Sequence, residues 1–460
     1  MKFENLNQFK DIFSSYTELR VQENSQKQIS LTNGDVTGNG ISKKSGVSAR
    51  VYKDGNWGFS SNPNINEDSI MNVVNASTDN VRFMNKKDTT RCGYFLPETQ
   101  AKHMMDYRTT KDLQSQKYWL DFVRDIDGYI EKKYPELLSR NLVMAGLDME
   151  KSLFTSDGTD AYSMTPRALL YLMLSIEKDG APITIGNPWG GLGQLEDKFL
   201  EPSDYYSEID QLVEKLKQKS SGIHASAGYK EVILDADLAG ILAHEAIGHT
   251  TEADLVMGGS IAGNCMNQKV ASDLITLIDY ANTCNGEVCP VPVYVDDEGT
   301  KSEDVIIIKD GILKKYMHNK DSARHFNTNP TGNARAYEFS DEPLIRMRNT
   351  AFVPGKSNLK EMISSIDDGY YLVKTGNGQA DSTSEFMFAI TMGYEIKNGK
   401  LGRAIKDTTI SGIAFDVLKT VDMISSDMSW SSAGMCGKKQ IIPVGMGGPA
   451  IKCKVNIGGR

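Results

Sequence analysis

The sequence predicts an α+β protein of two domains. In the first half, amphipathic segments with helical spacing alternate with strand-like segments; in the second half, many short alternating runs are separated by turn dipeptides. A charged helical segment gives way to a Ser/Gly stretch at 220–222, which marks the boundary. We expect an N-terminal α+β domain over 1–222, with helices packed on an antiparallel or mixed sheet. The C-terminal domain, 223–460, should be mainly antiparallel β and barrel-like.

Composition excludes several classes of protein. The chain has 460 residues with 40% hydrophobic and 24% charged content, which is ordinary for a soluble globular protein. Its net charge of -9 argues against direct contact with nucleic acid, because such contact needs a basic face. No apolar run approaches the ~18 residues of a membrane span, and the N-terminus lacks the apolar core of a signal peptide. Six sparse cysteines are typical of reduced thiols, so we expect a cytoplasmic protein.

Helical spacing and turn signals place the elements of the first half. Leu6, Phe9 and Phe13 share one helix face, and Asp54-Gly55 predicts a hairpin. The predicted helices are 4–15, 66–84, 111–134 and 201–219. The predicted strands are 18–22, 28–31, 48–52, 57–60, 143–155 and 161–176.

The second half opens with a predicted strand at 231–234 and a short apolar helix, and strands separated by turns follow. Asp310-Gly311 and Asn398-Gly399 mark two of these turns. The predicted strands are 291–295, 305–309, 313–317, 370–374, 386–390 and 394–396. Their regular spacing indicates an antiparallel sheet.

The most informative motif is the string HEAIGH at 244–249, which ends the apolar helix. Imidazole is the commonest protein ligand for zinc, and a glutamate beside the first ligand is placed to take a proton from water. The alternative is two unrelated histidines, one in solvent and one in the core. The motif favours a metal-binding helix in the C-terminal domain, with His244 and His249 as ligands and Glu245 as the catalytic carboxylate.

The spacing of the two histidines requires an irregular helix. They are five positions apart, so a regular α-helix would separate them by about 140° around its axis. Either a π-type turn or a helix end near Gly248, with His249 swinging back, would bring them together. Gly248 favours both geometries, because it tolerates an unusual backbone conformation.

A catalytic zinc usually has three protein ligands, so a third must come from elsewhere. Cys436 lies in a glycine-flanked segment, Gly434 to Lys438, where a thiolate can approach an ion closely. It is one candidate among several, and its alternative is an ordinary buried free cysteine. The other candidates are Glu252, Asp254, His103, His224, His318 and His325.

Several ordered segments resemble the TldD/PmbA family of zinc peptidases, in its motif-bearing, TldD-like branch. The segments are 46–51, 54–59, 244–254, 295–300, 330–335, 346–350 and 434–459. Each motif after the histidine string is weak alone, but the ordered set is specific and spans most of the chain. Residues 88–150 and 255–290 do not resemble the family closely, and Met257–Asn264 replaces an expected Gly/Arg-rich turn.

The resemblance implies zinc held by His244, His249 and Cys436, with Glu245 as the catalytic carboxylate. It implies a two-domain protein that pairs through large surfaces around a chamber, as a homodimer or with a motif-lacking PmbA-like relative. The family cleaves unstructured peptides, including leader peptides of modified precursors. An older family label links it to modulation of DNA gyrase.

We therefore expect zinc-dependent cleavage of extended peptides. Arg335 and Arg346 are candidate donors to the oxyanion, and the alternative for both is a structural salt bridge to nearby acids. Two rival functions remain open. One is zinc-dependent hydrolysis of small-molecule amides, and the other is a regulatory or binding subunit with a closed, structural zinc site.

Overall fold

The computed structural model describes residues 5–87, 95–431 and 433–458. Within them, the first half of the chain forms one mixed sheet. Its strands are β1 (Tyr16–Thr32), β2 (Asp35–Lys53), β3 (Asn56–Asn62), β4 (Lys102–Asp106), β5 (Ser139–Thr155), β6 (Asp160–Lys178) and β7 (Ala181–Leu192). They lie in the order β3-β2-β1-β5-β6-β4, with β7 also paired to β6. All pairs are antiparallel except β4 with β6.

Helices pack on this sheet through amphipathic faces. In the helix Gln116–Lys133, Ser115 caps the first turn by accepting from the amide of Tyr118, and the buried side chains include Trp119, Phe122 and Ile126. The helix ends before Pro135, which cannot continue it. The α-helices are α1 (Glu67–Lys87), α2 (Gln116–Lys133), α3 (Leu195–Lys198) and α4 (Tyr206–Ser220). The 3-10 helices are Leu6–Ile12 and Pro202–Tyr205.

The hairpin predicted at Asp54-Gly55 is confirmed, since both residues have positive φ (50° and 90°) between β2 and β3. The helix predicted over 4–15 is a 3-10 helix, and residue 4 and Cys92 lie outside the described residues. The strands predicted at 18–22 and 28–31 are one strand, β1. The middle of β1 is polar, and its side chains have partners in a loop of the second half. Gln22 and Asn24 both donate to the carbonyl of Tyr337 in that loop.

The second half contains two further sheets and several short elements. Its longer strands are β8 (Gly228–Leu234), β9 (Leu277–Tyr280), β12 (Val305–Lys309), β16 (Asn349–Phe352), β17 (Asp368–Ala380), β18 (Glu385–Lys397), β19 (Lys400–Ala404), β20 (Thr408–Ile413), β25 (Gly445–Gly448) and β26 (Ile451–Gly458). Short strands are β10 (Thr283–Cys284), β11 (Glu287–Val288), β13 (Ile312–Leu313), β14 (Ala334–Arg335), β15 (Leu344–Ile345), β21 (Met423–Ile424), β22 (Ser429–Ser431), β23 (Met435–Cys436) and β24 (Ile442–Pro443). The helices are α5 (Ala236–Ile241), a π-helix (Leu242–Gly248), α6 (Ala253–Met257), α7 (Lys320–His325), α8 (Leu359–Ser364) and α9 (Ala414–Lys419), with 3-10 turns at His249–Thr251 and Ile261–Asn264.

A barrel closes within this half, as the sequence predicts. In the described residues five strands pair in the circular order β17-β8-β26-β20-β18, and β18 pairs back to β17. Only β8 with β17 is parallel. A second sheet has the order β13-β12-β9-β16-β25-β22. The α5 helix and its π extension lie between the barrel strands β17 and β18 and the sheet strands β16 and β25.

Three strand predictions in this half are wrong in detail. Residues 291–295 form no strand beyond a single bridge at Val295, since Pro290 and Pro292 lack the amide hydrogen that a sheet ladder needs. The strand predicted at 313–317 is limited to Ile312–Leu313. The runs 386–390 and 394–396 form one strand, β18.

Charged contacts join the first sheet to loops of the second half. Arg20 donates to the carbonyls of residues 338, 339 and 341. Arg50 pairs with Glu298, and Lys151 pairs with Asp297 at 2.8 Å. All these side chains are largely buried, so the halves share an extensive polar contact. The domain boundary near 222 stays a prediction.

Among the helices of the described residues, none is long and apolar enough to cross a bilayer. The five cysteines in the described part of the chain form no disulfide.

A fully buried ion pair organises the loops behind the second sheet. Arg348 donates to Asp279 at 2.9 Å and to the carbonyls of Thr331, Gly332 and Glu303, and neither charged side chain is exposed. Asp279 also accepts from the amides of Arg348 and Asn349. Each of the two buried charges is therefore stabilised by the other, and removing one would leave the other buried and unpaired.

We predict that Arg348→Met lowers the free energy of unfolding by about 3–5 kcal/mol, because it leaves the Asp279 carboxylate buried and unpaired. Urea denaturation measures the change. The control is Arg403→Met, which removes an exposed arginine that pairs with Glu395 and should cost less than about 1 kcal/mol. Equal losses in the two variants would contradict the role given to burial.

Candidate metal centre

A widened helical turn brings the two histidines of the motif together. The amide of His249 donates to the carbonyl of His244, five residues earlier, at the end of the π-helix. This i→i+5 bond adds one residue to the turn, so positions five apart become neighbours on one face. The ring centroids lie 5.2 Å apart, with the planes at 82°. The structure thus has the first of the two local geometries expected from the spacing.

Gly248 acts by its size rather than by its backbone freedom. Its φ of -57° is ordinary helical geometry, so the expectation of an unusual conformation is wrong. A Cβ atom there would lie 1.9 Å from Sδ of Met347, which is fully buried. The glycine therefore lets the turn pack against Met347.

Cys436 reaches the same place from the far end of the chain. It lies on β23, paired with β24, and its Sγ is 3.3 Å from Nε2 of His249. One ligand atom each from His244, His249 and Cys436 lie within 4.8 Å of one another. Nitrogen and sulfur ligands at about 2.0 and 2.3 Å from one tetrahedral zinc would be about 3.5 Å apart. The three residues fit a zinc ion after a small adjustment.

Burial and protonation in this cluster also suit a cation. His244 is fully buried, and neither ring nitrogen has a hydrogen-bond partner among the described residues. Such an orphaned polar group is costly unless an ion or water satisfies it. Although burial raises the pKa of the Cys436 thiol, the two imidazoles lower it to about 3. The sulfur is therefore a thiolate, the form that zinc requires.

Glu245 is the most exposed of the four side chains at the cluster, followed by His249. The Glu245 side chain is 27% exposed, and its carboxylate oxygens lie 3.9 Å from Nε2 of His244 and 3.7 Å from Nε2 of His249. A carboxylate in this position borders the space between the histidines and solvent. It is placed to exchange a proton with a water molecule there.

Glu252 orients His249 rather than joining the cluster. Its fully buried carboxylate accepts from Nδ1 of His249 at 2.8 Å, and Lys438 lies 3.2 Å away. Burial lowers the pKa of His249, but Glu252 and Cys436 together outweigh burial and raise the pKa well above its usual value. A carboxylate behind a histidine fixes the ring and exposes its other nitrogen. The sequence gives Glu252 only as a ligand candidate.

Lys438 links the cysteine segment to the end of the helix, and the sequence analysis missed this role. Its ammonium lies between Glu252 and Asp254, 2.7 Å from the second, and donates to the carbonyl of Ile345. Because Lys438 is two residues after Cys436, these contacts hold the thiolate beside the helix. No local pattern signals a contact spanning 184 residues.

The other candidates for a third ligand lie elsewhere. His318 is buried beside Ser322, and burial lowers its pKa to about 4. His103 stacks on Tyr294. His224 and His325 are exposed. Among the seven candidates, Cys436 alone joins the two histidines.

Arg335 and Arg346 bind backbone carbonyls. Arg335 donates to those of Met347 and Pro443. Arg346 donates to the carbonyls of Cys436, Lys438 and Gln440, and so clamps the segment that carries the thiolate. Neither has an ion pair in the described residues, so the alternative of a structural salt bridge is wrong. The candidate oxyanion role of both arginines stays a prediction.

Comparison with known proteins places the chain in a family. The C-terminal domain of the PmbA/TldA metallopeptidases matches residues 227–459, and their domain 1 matches 17–81. Residues 255–290, expected not to resemble the family closely, lie inside the first match, whereas residues 88–150 lie outside both matches.

Curated relatives align over most of the chain. A zinc metalloprotease TldD homolog of Saccharolobus solfataricus is 27% identical over 99% of both chains. A metalloprotease TldD homolog of Buchnera aphidicola from Schizaphis graminum is 30% identical, over 94% of this chain and 90% of its own.

Solved structures share the fold. TldE from Thermococcus kodakarensis superposes with a TM-score of 0.79 at 17% identity, over 99% of both chains. A protein of Thermotoga maritima, described as a candidate modulator of a DNA gyrase, has a TM-score of 0.80 at 19% identity, over 99% of this chain and 100% of its own.

The chain belongs to the TldD/PmbA family of zinc metallopeptidases. The names of the curated relatives support a peptidase-type function and suggest a zinc cofactor.

We predict that Gly248→Ala lowers the free energy of unfolding by about 1–3 kcal/mol, since the added methyl group collides with Met347 and must displace the turn. Thermal or urea unfolding measures the loss. Gly437→Ala is the control, because a Cβ at Gly437, beside Cys436, meets nothing within 4 Å. A Gly248→Ala protein as stable as this control would show that the turn is not tightly packed.

Proposed function

We propose that this protein is a zinc-dependent peptidase of the HExxxH type, with zinc held by His244, His249 and Cys436. The observation that carries the proposal is the meeting of three ligand atoms within 4.8 Å around a buried, unpartnered imidazole. A mixed nitrogen and thiolate set suits zinc, which accepts both. Three ligands leave a fourth position for water, as in catalytic sites.

The chain's own residues have distinct tasks in peptide hydrolysis. When bound, zinc supplies Lewis acidity that activates a water molecule and polarises the scissile carbonyl. Glu245 accepts the proton of the attacking water and delivers it to the leaving amine. Glu252 keeps the Nδ1 proton of His249, so that Nε2 is free to bind metal. Arg346 and Lys438 hold the Cys436 segment in position.

The substrate we propose is an extended, unfolded peptide, including the leader segment of a precursor. Main-chain pairing gives affinity with little sequence choice, which suits such substrates. We further propose that two domains meet near residue 222 and that the chain pairs with itself or with a PmbA-like relative that lacks the motif, enclosing a chamber. The likeness in fold to a protein named TldE supports a relative of that kind as partner.

Metal analysis tests the ligand set. We expect about one zinc per chain in the purified protein, and loss of most of it in Cys436→Ala, because two histidines alone bind zinc weakly. Inductively coupled plasma mass spectrometry measures the content. Cys265→Ala is the matched control and should keep its zinc, since Cys265 lies outside the cluster. Unchanged zinc in Cys436→Ala would remove the thiolate from the proposed site.

Glu245→Gln tests the catalytic role separately from metal binding. The amide keeps the shape of the side chain but cannot take a proton, so cleavage of an unstructured peptide should fall by about 10²–10⁴-fold. The zinc content should stay near one per chain. A quenched fluorogenic peptide measures the rate. Retained cleavage in zinc-loaded Glu245→Gln would contradict the role of this carboxylate.

A further inference from the structure

A groove of about 560 Å³ runs over the first sheet and ends beside the cysteine segment. Its size is typical of a site for a small ligand or a short peptide segment. The hairpin of β1 and β2 forms one wall, while Met435 and Pro443 lie at the other side. Met435 directly precedes Cys436 on β23, so the groove is lined by the strand that carries the candidate thiolate ligand, although His244, Glu245, His249 and Cys436 do not line it.

Arg167 lies in this groove as a buried cation. It is 6% exposed, and its Nε has no hydrogen-bond partner. One terminal nitrogen donates to the carbonyl of Gly434 at 3.2 Å, and the other lies 4.0 Å from Sδ of Met435. No carboxylate of the described residues forms an ion pair with it. A buried guanidinium of this kind has donors to spare for a ligand.

The other buried arginines of the described residues either pair with a carboxylate or have more backbone partners. Arg335 and Arg346 also lack an ion pair within this part of the chain, but they donate to two and three backbone carbonyls, whereas Arg167 donates to one. Arg140 pairs with Asp127 and Glu131, and Arg348 pairs with Asp279. Burial lowers the pKa of Arg167 to about 10, opposed only by Tyr171 and Tyr337. The group is therefore charged at neutral pH, and a buried charge without a counterion is costly. An anion in the groove would supply the partner that Nε of Arg167 lacks among the described residues.

The position of Arg167 indicates which anion this is. Its guanidinium binds Gly434, two residues before Cys436, and two residues of extended chain span about 7 Å at most. An anion on Arg167 would therefore lie within a few residues of a peptide bond at the metal centre. Lys27 is the other cation lining the groove. It lies near Asp148, whose pKa is raised by burial in spite of the hydrogen bond from Gln194 and the charge of Lys27.

We propose that Arg167 binds a carboxylate of the peptide substrate, and that the groove holds the residues next to it. The carboxylate is either the C-terminus of the peptide or an acidic side chain, since the guanidinium recognises both in the same way. This inference rests on the proposed peptidase function. It adds a preference for peptides that carry a negative charge near the cleaved bond.

Binding to zinc-loaded Glu245→Gln protein tests this without cleavage. The probes are four fluorescein-labelled forms of Ser-Ala-Glu-Ala-Ala, with the C-terminus free or amidated and with glutamate or glutamine in the middle. Loss of the recognised carboxylate should weaken binding by about tenfold or more, as measured by fluorescence anisotropy. The difference between the free and amidated C-termini measures recognition of the terminal carboxylate. The difference between glutamate and glutamine measures recognition of the side-chain carboxylate.

Arg167→Gln, added to the same protein, should reduce that preference to less than about twofold. Arg403→Gln is the control and should keep the preference, because Arg403 is an exposed arginine that does not line the groove. If Arg167→Gln fails to fold, Arg167→Lys and Lys27→Gln replace it. If Arg167→Lys keeps the preference for the carboxylate and Lys27→Gln loses it, the carboxylate binds Lys27 and the proposal is overturned.

Equal binding of the four probes, or binding of none, would also overturn it. Because Glu245→Gln does not need to cleave, failure of the peptidase function leaves this test intact. Zinc content and cleavage by the unaltered protein decide that function separately.

Discussion

The hydrogen bond from the amide of His249 to the carbonyl of His244 sets the geometry of the candidate site. A regular α-helix would turn the second imidazole away from the first. The widened turn is held from outside, because the helix lies between the barrel and the second sheet. A Cβ on Gly240 would lie 2.7 Å from the amide nitrogen of Gly447, so helix and strand backbones are in direct contact. The packing leaves little room for an alternative register.

Charge balance holds the third ligand in the same place. The Cys436 segment has little secondary structure of its own, since β23 and β24 are two residues each. Arg346 binds three of the segment's carbonyls, and Lys438 connects it to Glu252 and Asp254. A thiolate, an imidazole and a buried carboxylate thus lie next to two fixed cations. The positive charges of Arg346 and Lys438 balance the negative charges of the thiolate and the carboxylate in the absence of a metal.

Local patterns predicted much of the fold. The spacing of apolar residues indicated α1 and α2, and Asp54-Gly55 indicated its hairpin, because these signals depend only on neighbours in sequence. The short alternating hydrophobic runs separated by turns predicted the barrel. The continuity of β1 was not predicted, because its polar middle is stabilised by a loop more than 300 residues away. Pro290 and Pro292 are local signals that argue against the strand predicted at 291–295, because proline cannot donate to a sheet ladder.

The candidate site also contains residues that the sequence predicted and residues whose role depends on the fold. His244, Glu245 and His249 stand out by residue type, and their spacing required the irregular turn. Cys436 was one candidate of several until the resemblance to the family favoured it. The orienting role of Glu252, the contacts of Lys438 and the carbonyl partners of Arg335 and Arg346 depend on the folded chain. Charged residues in a sequence do not reveal whether they will meet an acid, a carbonyl or a substrate.

X-ray absorption spectroscopy at the zinc edge tests the central claim most directly. In the zinc-loaded protein we expect one sulfur ligand at about 2.3 Å and two imidazole nitrogens at about 2.0–2.1 Å, with the remaining position filled by a light atom. A coordination sphere without sulfur, or one with four protein ligands and no exchangeable position, would contradict the account.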